Sequence, residues 1–566
     1  MTRKQQLCGG LWLLLIFLLV SPPVWGQTLE RIEYPDDNET ATSPEDVAAR
    51  RNRPDYKIHF KLAPKSIDET RISQTLVWEY QDRRSKNAAH FYMRANYYLT
   101  EKLNSQAKQE YRYLLDHIWG QTENGDTVDL EFLNGLAYKP VTKHDRSILP
   151  EEELTEDERD QQRRDQFVGG VDQRRWDYAL FSLKEHPEQL EAVRQFVQDN
   201  TLVFKNLEEG SRCDDCDFGI PFRETESPIA LLLPEIQNMR DLARVLRVKI
   251  MLEIHENRYE DAIASVRVGL CMARHTGKQP TLVAGLVGNA MRDVMFQEVQ
   301  DMFADADCPN LYWELSSLPY PFLNYVDAAE IEKQVLPQTF PLLRKAMDTP
   351  ESILDDEWRL LLRQMDEVLV QLVTSENDSL LKKLPIKSNV VASYPAARQW
   401  LITQGKTAAE IDAMIPEKVV GLHAAYDVRK ICGEAFRQMY LPLWEEYDVE
   451  EIIRQYDMEL MNNPLGVNVF SRRLTSLLLP AMQAARTAYR RMLLSNDVMR
   501  IAEALRDYAA RHGGQLPESL DAIKNVPIPM INPFTGKAYE YKLEDGVGKI
   551  EIPQMWKTVI IFEITK

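Results

Sequence analysis

A mainly helical chain that closes on a small strand-bearing module is the fold class this 566-residue sequence predicts. Three observations carry that expectation. Glycine is scarce, 23 residues of 566, against an average near 7 % in soluble proteins. Apolar residues recur at three- and four-residue intervals over long stretches, the spacing of one helix face. After Gly513-Gly514 the period changes to strict alternation, the spacing of a strand. The predicted architecture is an irregular helical bundle or solenoid with a tetratricopeptide-like hairpin, ending in a small helix plus antiparallel β-hairpin module. Five segments follow: 1–26 a signal peptide, 27–54 a disordered linker, 55–210 an N-terminal helical region, 211–470 a central helical scaffold, and 471–566 the closing module.

Arg3 and Lys4 precede an unbroken apolar run from Leu11 to Val20, then Ser21, Pro22 and Pro23 break it and Val24-Trp25-Gly26 follows. Positive charge, apolar run and small residue in that order form a secretory leader. The run is shorter than the roughly 20 residues a membrane span requires. Cleavage after Gly26 and an extracytoplasmic location, periplasmic or secreted, are therefore expected, with membrane contact only if the leader stays. Losing two positive charges and no negative ones takes the formal charge from -19 to -21. Such a surface repels nucleic acid, and the short Arg50-Arg51-Asn52-Arg53 cluster reads as solvated linker. Residues 27–54 carry no apolar period and read as a tether.

Two helices are expected at Asn87–Glu101 and Ser105–Ile118, the second with Tyr111, Leu114, Leu115 and Ile118 on one face. Residues 139–170 lose the period, and the acidic run from Glu151 reads as a solvated face. From Pro228 to Ile254 a long helix is expected to bury Leu231, Leu242, Leu246 and Leu252. A turn at His255-Glu256-Asn257 leads into a second helix from Arg258 to about Cys271, in which Tyr259 fills the crossing and Ala262 allows close approach. Thr281–Phe303 offers Ala284, Gly285, Gly288 and Ala290 for a further close approach. Asn310 reads as the cap of a helix opening at Leu311. More helices follow, broken at Pro337, Pro341, Pro350, Pro395, Pro416 and Pro442. A long helix starts near Arg472 or Pro480 and ends after Arg511, capped by Gly513-Gly514. Tyr539, Tyr541 and Leu543, an Asp545-Gly546 turn, and Ile550 and Ile552 then form a hairpin, with Val559–Ile564 a third strand.

Five cysteines follow the leader, and Cys213-Asp214-Asp215-Cys216-Asp217 is the cluster with chemical content. Cys213 and Cys216 are candidates for a structural disulfide or loop thiols, for a redox pair, or for half a metal site. A complete zinc site needs four ligands and no second Cys-x-x-Cys is present, so no metal and no cofactor are expected. Three aspartates work against an activated thiolate. His255-Glu256 begins like a zinc-protease helix, but position 259 is Tyr. No nucleophile elbow, P-loop or dinucleotide fingerprint appears, and no catalytic residue is assigned.

Several phrases resemble a family. Cys216-Asp217-Phe218-Gly219, Gly277-Lys278-Gln279-Pro280-Thr281-Leu282-Val283, Pro309-Asn310-Leu311-Tyr312-Trp313, the run from Ala510 to Leu520, Asn532-Pro533-Phe534-Thr535-Gly536-Lys537 and Tyr539-Glu540-Tyr541 are similar to uncharacterised exported proteins of planctomycete-type bacteria. That resemblance, from about residue 210 onward, implies export and helical architecture but no activity. The run from Gly513 to Lys537 also looks like the body of a type II secretion pseudopilin, although a pilin needs its apolar helix at its own N-terminus. The expectation is an exported non-enzymatic scaffold with a protein or peptide partner in the envelope. The alternative is an envelope polymer hydrolase with an unlocated Asp/Glu pair.

Overall fold

The computed structural model describes residues 29–31, 56–104, 183, 187, 190–220, 225, 233–372, 386–445, 468–553, 555 and 558–565. The mainly helical prediction holds: these residues contain fifteen α-helices and seven short strands. The expected leader, the helix expected at 105–118 and the acidic run from Glu151 lie outside the described residues. No described helix is long and apolar enough to cross a membrane.

The N-terminal region differs from its expected helical character at its start. Strand β1 (Leu29–Arg31) occupies the beginning of the expected linker and pairs antiparallel with β2 (Tyr56–Leu62). The missed signal is the alternation within Tyr56–Leu62, where Ile58, Phe60 and Leu62 are all fully buried. Strand β3 (Arg84–Asn87) follows, and then α1 (Ala89–Asn104), which matches the first expected helix. Helices α2 (Leu190–Asp199) and α3 (Thr201–Ser211) lead into β4 (Cys213–Asp215), which pairs parallel with β3.

The central hairpin is α4 (Pro234–His255) and α5 (Tyr259–Gly277). Pro234 opens α4, where the N–H it lacks would have had no intrahelical partner. Asn257 turns the chain at a φ of 57°, a conformation Asn adopts more readily than most residues. Tyr259 and Ala262 are buried at the crossing as the pattern requires. Helix α6 (Leu282–Met302) starts at Thr281, whose Oγ1 accepts the Ala284 N–H at 3.0 Å. Because α6 packs on both α4 and α5, the three form a bundle.

Short helices α7 (Tyr312–Ser316), α8 (Tyr325–Glu332), α9 (Val335–Thr339) and α10 (Pro341–Asp348) come next. The N-cap of α7 is Leu311, one residue later than expected, and Asn310, just before it, accepts the Tyr312 N–H with its Oδ1. Then come α11 (Asp355–Leu372), α12 (Ile386–Thr403), α13 (Ala408–Asp412) and α14 (Pro416–Arg437). Pro341 and Pro416 open helices, but Pro337 and Pro395 lie inside α9 and α12 and do not break them. Packing of α12 on α14 and the long helix α15 (Val469–Arg511) outweighs a local cost of about 3 kcal/mol.

Helix α15 runs 43 residues, and Gly513 and Gly514, at φ 62° and 83°, end it. The Gly514 N–H reaches back to the Ala509 carbonyl at 2.8 Å. Strands β5 (Tyr541–Glu544), β6 (Val547–Ile552) and β7 (Thr558–Ile564) form the expected antiparallel module. Asp545 and Gly546 both take positive φ, the demand of a type I′ hairpin. Tyr539 precedes β5 and does not belong to it. β2 pairs parallel with β7, giving the order β1-β2-β7-β6-β5. The first and last strands of the fold therefore share one sheet, and one buried cluster runs from Ile58 to Phe562.

Candidate functional site

The Cys213–Cys216 loop is built by hydrogen bonds that use its polar residues as turn formers. Asp215 Oδ1 accepts the Cys216 N–H at 2.9 Å, and Asp217 Oδ1 accepts the Gly219 N–H at 2.8 Å. Asn87, at the end of β3, holds Asp217 from both sides: its Nδ2 donates to the Asp217 carbonyl and its Oδ1 accepts the Asp217 N–H. The same Oδ1 accepts the Ala89 N–H and so caps α1. From the opposite side the last turn of α5 and the residues just after it clamp the loop. His275 Nε2 donates to the Cys213 carbonyl at 2.9 Å, and Gln279 Nε2 donates to the Cys216 carbonyl at 2.5 Å. Because a carbonyl only accepts, the His275 proton sits on Nε2, and Nδ1 accepts the Tyr92 hydroxyl at 2.7 Å.

Both cysteines are buried and unbridged. Burial, reinforced by Asp215, pushes the Cys216 thiol far up; burial also raises Cys213 despite nearby Arg84 and Lys86. Neither is a poised thiolate at neutral pH. His275 spends both ring nitrogens on Tyr92 and the loop backbone, so it is no base for either thiol. Among the described residues no group of three or more His, Cys, Asp or Glu side chains is placed to hold a metal ion. Glu256, of the His255-Glu256 pair, is engaged by Arg194 at 2.8 Å and Arg258 at 2.9 Å.

Burial lowers His275 to about 4, below its ordinary unfolded value near 6.5. The unfolded chain therefore binds the extra proton between these two pH values. The contribution of His275 to stability is complete above pH 6.5 and falls as pH drops toward 4, by about 3 kcal/mol in all. Denaturant melts at pH 7 and pH 4.5 are expected to show a smaller acid-side loss in His275→Phe than in the parent, together with a lower stability at pH 7. An unchanged difference between the two pH values would remove the assigned proton linkage.

A second polar cluster lines α15, at positions the sequence reading left unassigned. Arg506 and Glu503, both with fully buried side chains, pair at 2.9 Å. Arg506 also donates to the carbonyls of Ala63, Asp305 and Cys308. Glu503 accepts the Leu311 N–H at 2.8 Å. Asp507 accepts from the Ile67 N–H and from Asn525 Nδ2. Asp497, raised to about 6 by burial, accepts the Tyr539 hydroxyl at 2.9 Å. Arg500 reaches Ser316 Oγ and the Tyr312 hydroxyl. One helix thus ties the β2 exit, the 305–316 segment and the C-terminal loop together. The available signal was a row of polar residues at helical spacing inside an otherwise apolar helix.

A third cluster joins Ser471, Asp427 and His423, but in an order unlike a nucleophilic triad. Ser471 Oγ donates to Asp427 Oδ2 at 2.9 Å, and His423 stands on the other oxygen at 3.4 Å with its ring stacked on Trp400. The serine meets the carboxylate and not the imidazole, so the imidazole is not its base. Burial holds His423 at about 4.

The fold and these clusters define a mainly helical protein with one continuous core, whose terminal strands meet in a five-stranded sheet. Comparison with protein-family models, with curated proteins and with solved structures returned no match.

Proposed function

We propose that this chain is an exported, non-enzymatic helical scaffold of the cell envelope that holds a protein or peptide partner. The observation that carries the reading is an apolar strip beside the C-terminal loop. Trp444 is nearly half exposed, and Met530 and Ile531 are exposed on the 530–538 loop. Trp444 lies so close over Gly536 that a Cβ there would come within 2.6 Å of its ring, which fixes the indole in place. A rigid, half-exposed aromatic is the side chain most enriched at the energetic centre of interfaces. The order of positive charge, apolar run and small residue in residues 1–26 supports export. A hydrolase acting on envelope polymers needs two carboxylates free to flank one bond. Glu260 and Glu314, which share a site, instead converge on Arg71 at 2.5 and 2.7 Å.

A photo-crosslinking residue at position 444 of the full chain, expressed with its leader, tests the reading. One discrete envelope protein or peptide is expected to be trapped there, and none with the same residue at the exposed position 351 on the scaffold. No adduct, or identical adducts at both positions, would overturn the proposal. Edman sequencing of the same preparation is expected to begin at Gln27.

A further inference from the structure

The apolar strip around Trp444 is assembled by α15. Arg486, Arg490 and Asp497 follow one another at spacings of four and seven residues and so share one face of that helix. Arg486, 2 % exposed, donates Nη1 to the Gln438 carbonyl. Its Nη2 donates to the carbonyls of Pro442, Leu443 and Glu445 at 3.0, 3.4 and 2.7 Å. Arg490 Nε gives the Leu443 carbonyl a second donor at 2.5 Å, and its guanidinium stands 5.8 Å over the Phe534 ring. Asp497 accepts the Tyr539 hydroxyl at 2.9 Å. The 438–445 turn and the 530–539 loop, the two halves of the strip, are thereby laid against the same helix face, and Trp444 closes on Gly536 where they meet.

Helix capping explains only part of this. The last carbonyls of a helix lack intrahelical partners, and Gln438 is the C-cap of α14, so its bond to Arg486 completes the helix end. The other three carbonyls lie beyond the helix, at 442, 443 and 445, on either side of Trp444. Burying a cation for neutral acceptors carries a desolvation cost, and what the three bonds secure is the path of the chain through Trp444. A turn that a partner must order on binding weakens the complex, and a turn fixed beforehand does not. We infer that Arg486 is a positioning residue of the partner site, holding the 442–445 turn so that Trp444 meets the partner already in its bound position. The inference rests on Trp444 being the anchor proposed above. Arg486 itself is buried beneath the turn and does not touch the partner. Arg490 acts with it, on Leu443 from one side and on Phe534 from the other.

Fluorine NMR of the full chain labelled with 5-fluorotryptophan reads the positioning, with the Trp444 line assigned from Trp444→Phe. Arg486→Met is expected to move and broaden that line and to leave the line of Trp358, which is fully buried, in place. A photo-crosslinking residue at the exposed position 531, in the chain expressed with its leader, reads the partner. Adduct yield there is expected to fall about threefold to tenfold in Arg486→Met, at least as far in Trp444→Ala, and no further than in Trp444→Ala when both changes are combined. A purely stabilising Arg486 would instead lower the yield by the same factor with or without Trp444. Arg490→Gln is expected to act in the same direction to a smaller extent, and the same outcomes decide it if Arg486→Met fails to fold. An unmoved Trp444 line, an undiminished adduct, or losses that multiply in the double variant would overturn the positioning role, while the adduct in the parent would still uphold the partner site. No adduct in the parent would overturn both.

Discussion

Replacing Arg506 by Met is expected to cost about 3–5 kcal/mol of stability, the cost of stranding one member of a buried ion pair. Glu503, which is fully buried, would keep a carboxylate whose pKa burial already raises, now without its cation. The carbonyls of Ala63, Asp305 and Cys308, each an acceptor for the Arg506 guanidinium, would also lose a donor. Urea or thermal melts of the purified chain measure the loss. Because Arg506 joins the exit of β2 to the 305–308 turn, hydrogen exchange should accelerate first in those two segments. The paired change Glu503→Leu with Arg506→Met is expected to cost less than the two single changes summed, since neither charge is then left alone. Full additivity would show that Arg506 acts through its carbonyl contacts and not through Glu503.

How much of this was legible in the sequence depends on whether the signal was local. The α4–α5 hairpin and the Asp545-Gly546 turn are written in neighbouring residues, and they sit where spacing and turn chemistry put them. Strand β2 was hidden because the partner that pairs with its whole length is β7, some 500 residues away, and alternation in seven residues is weak beside the helical pattern that follows. Pro395 misled because proline marks a helix break only where tertiary packing does not override it. The cysteine loop was found from its spacing, but its holders, His275 near the end of α5 and Gln279 just after it, lie some 60 residues downstream. The Arg506–Glu503 tie was visible only as two charged residues three apart on a helix, a spacing common on exposed faces. Their complete burial is set by the segments packed over α15.

Gly288→Ala should destabilise the α5–α6 contact although alanine is the better helix former. An added Cβ would stand 2.6 Å from the Ala273 carbonyl oxygen and 2.8 Å from the Gly277 Cα and N. These are backbone atoms of α5, so no rotamer change relieves the clash and the two helices must move apart. The propensity gain is about 1 kcal/mol, while overpacking of a well-filled interior costs about 1–3 kcal/mol and at times more. Separation of α5 from α6 would also loosen the contact of Gly277 with Leu323, so the overpacking cost should fall near the top of that range and leave a net loss of about 2 kcal/mol. Gly285→Ala, one turn earlier on the same helix, supplies the control. Its Cβ would meet Tyr325 at 3.5 Å, an ordinary contact, and the propensity term then dominates and raises stability slightly. The opposite signs of these two substitutions in one thermal melt series isolate the helix approach as the cause. A neutral Gly288→Ala would mean that α5 and α6 do not meet at this distance.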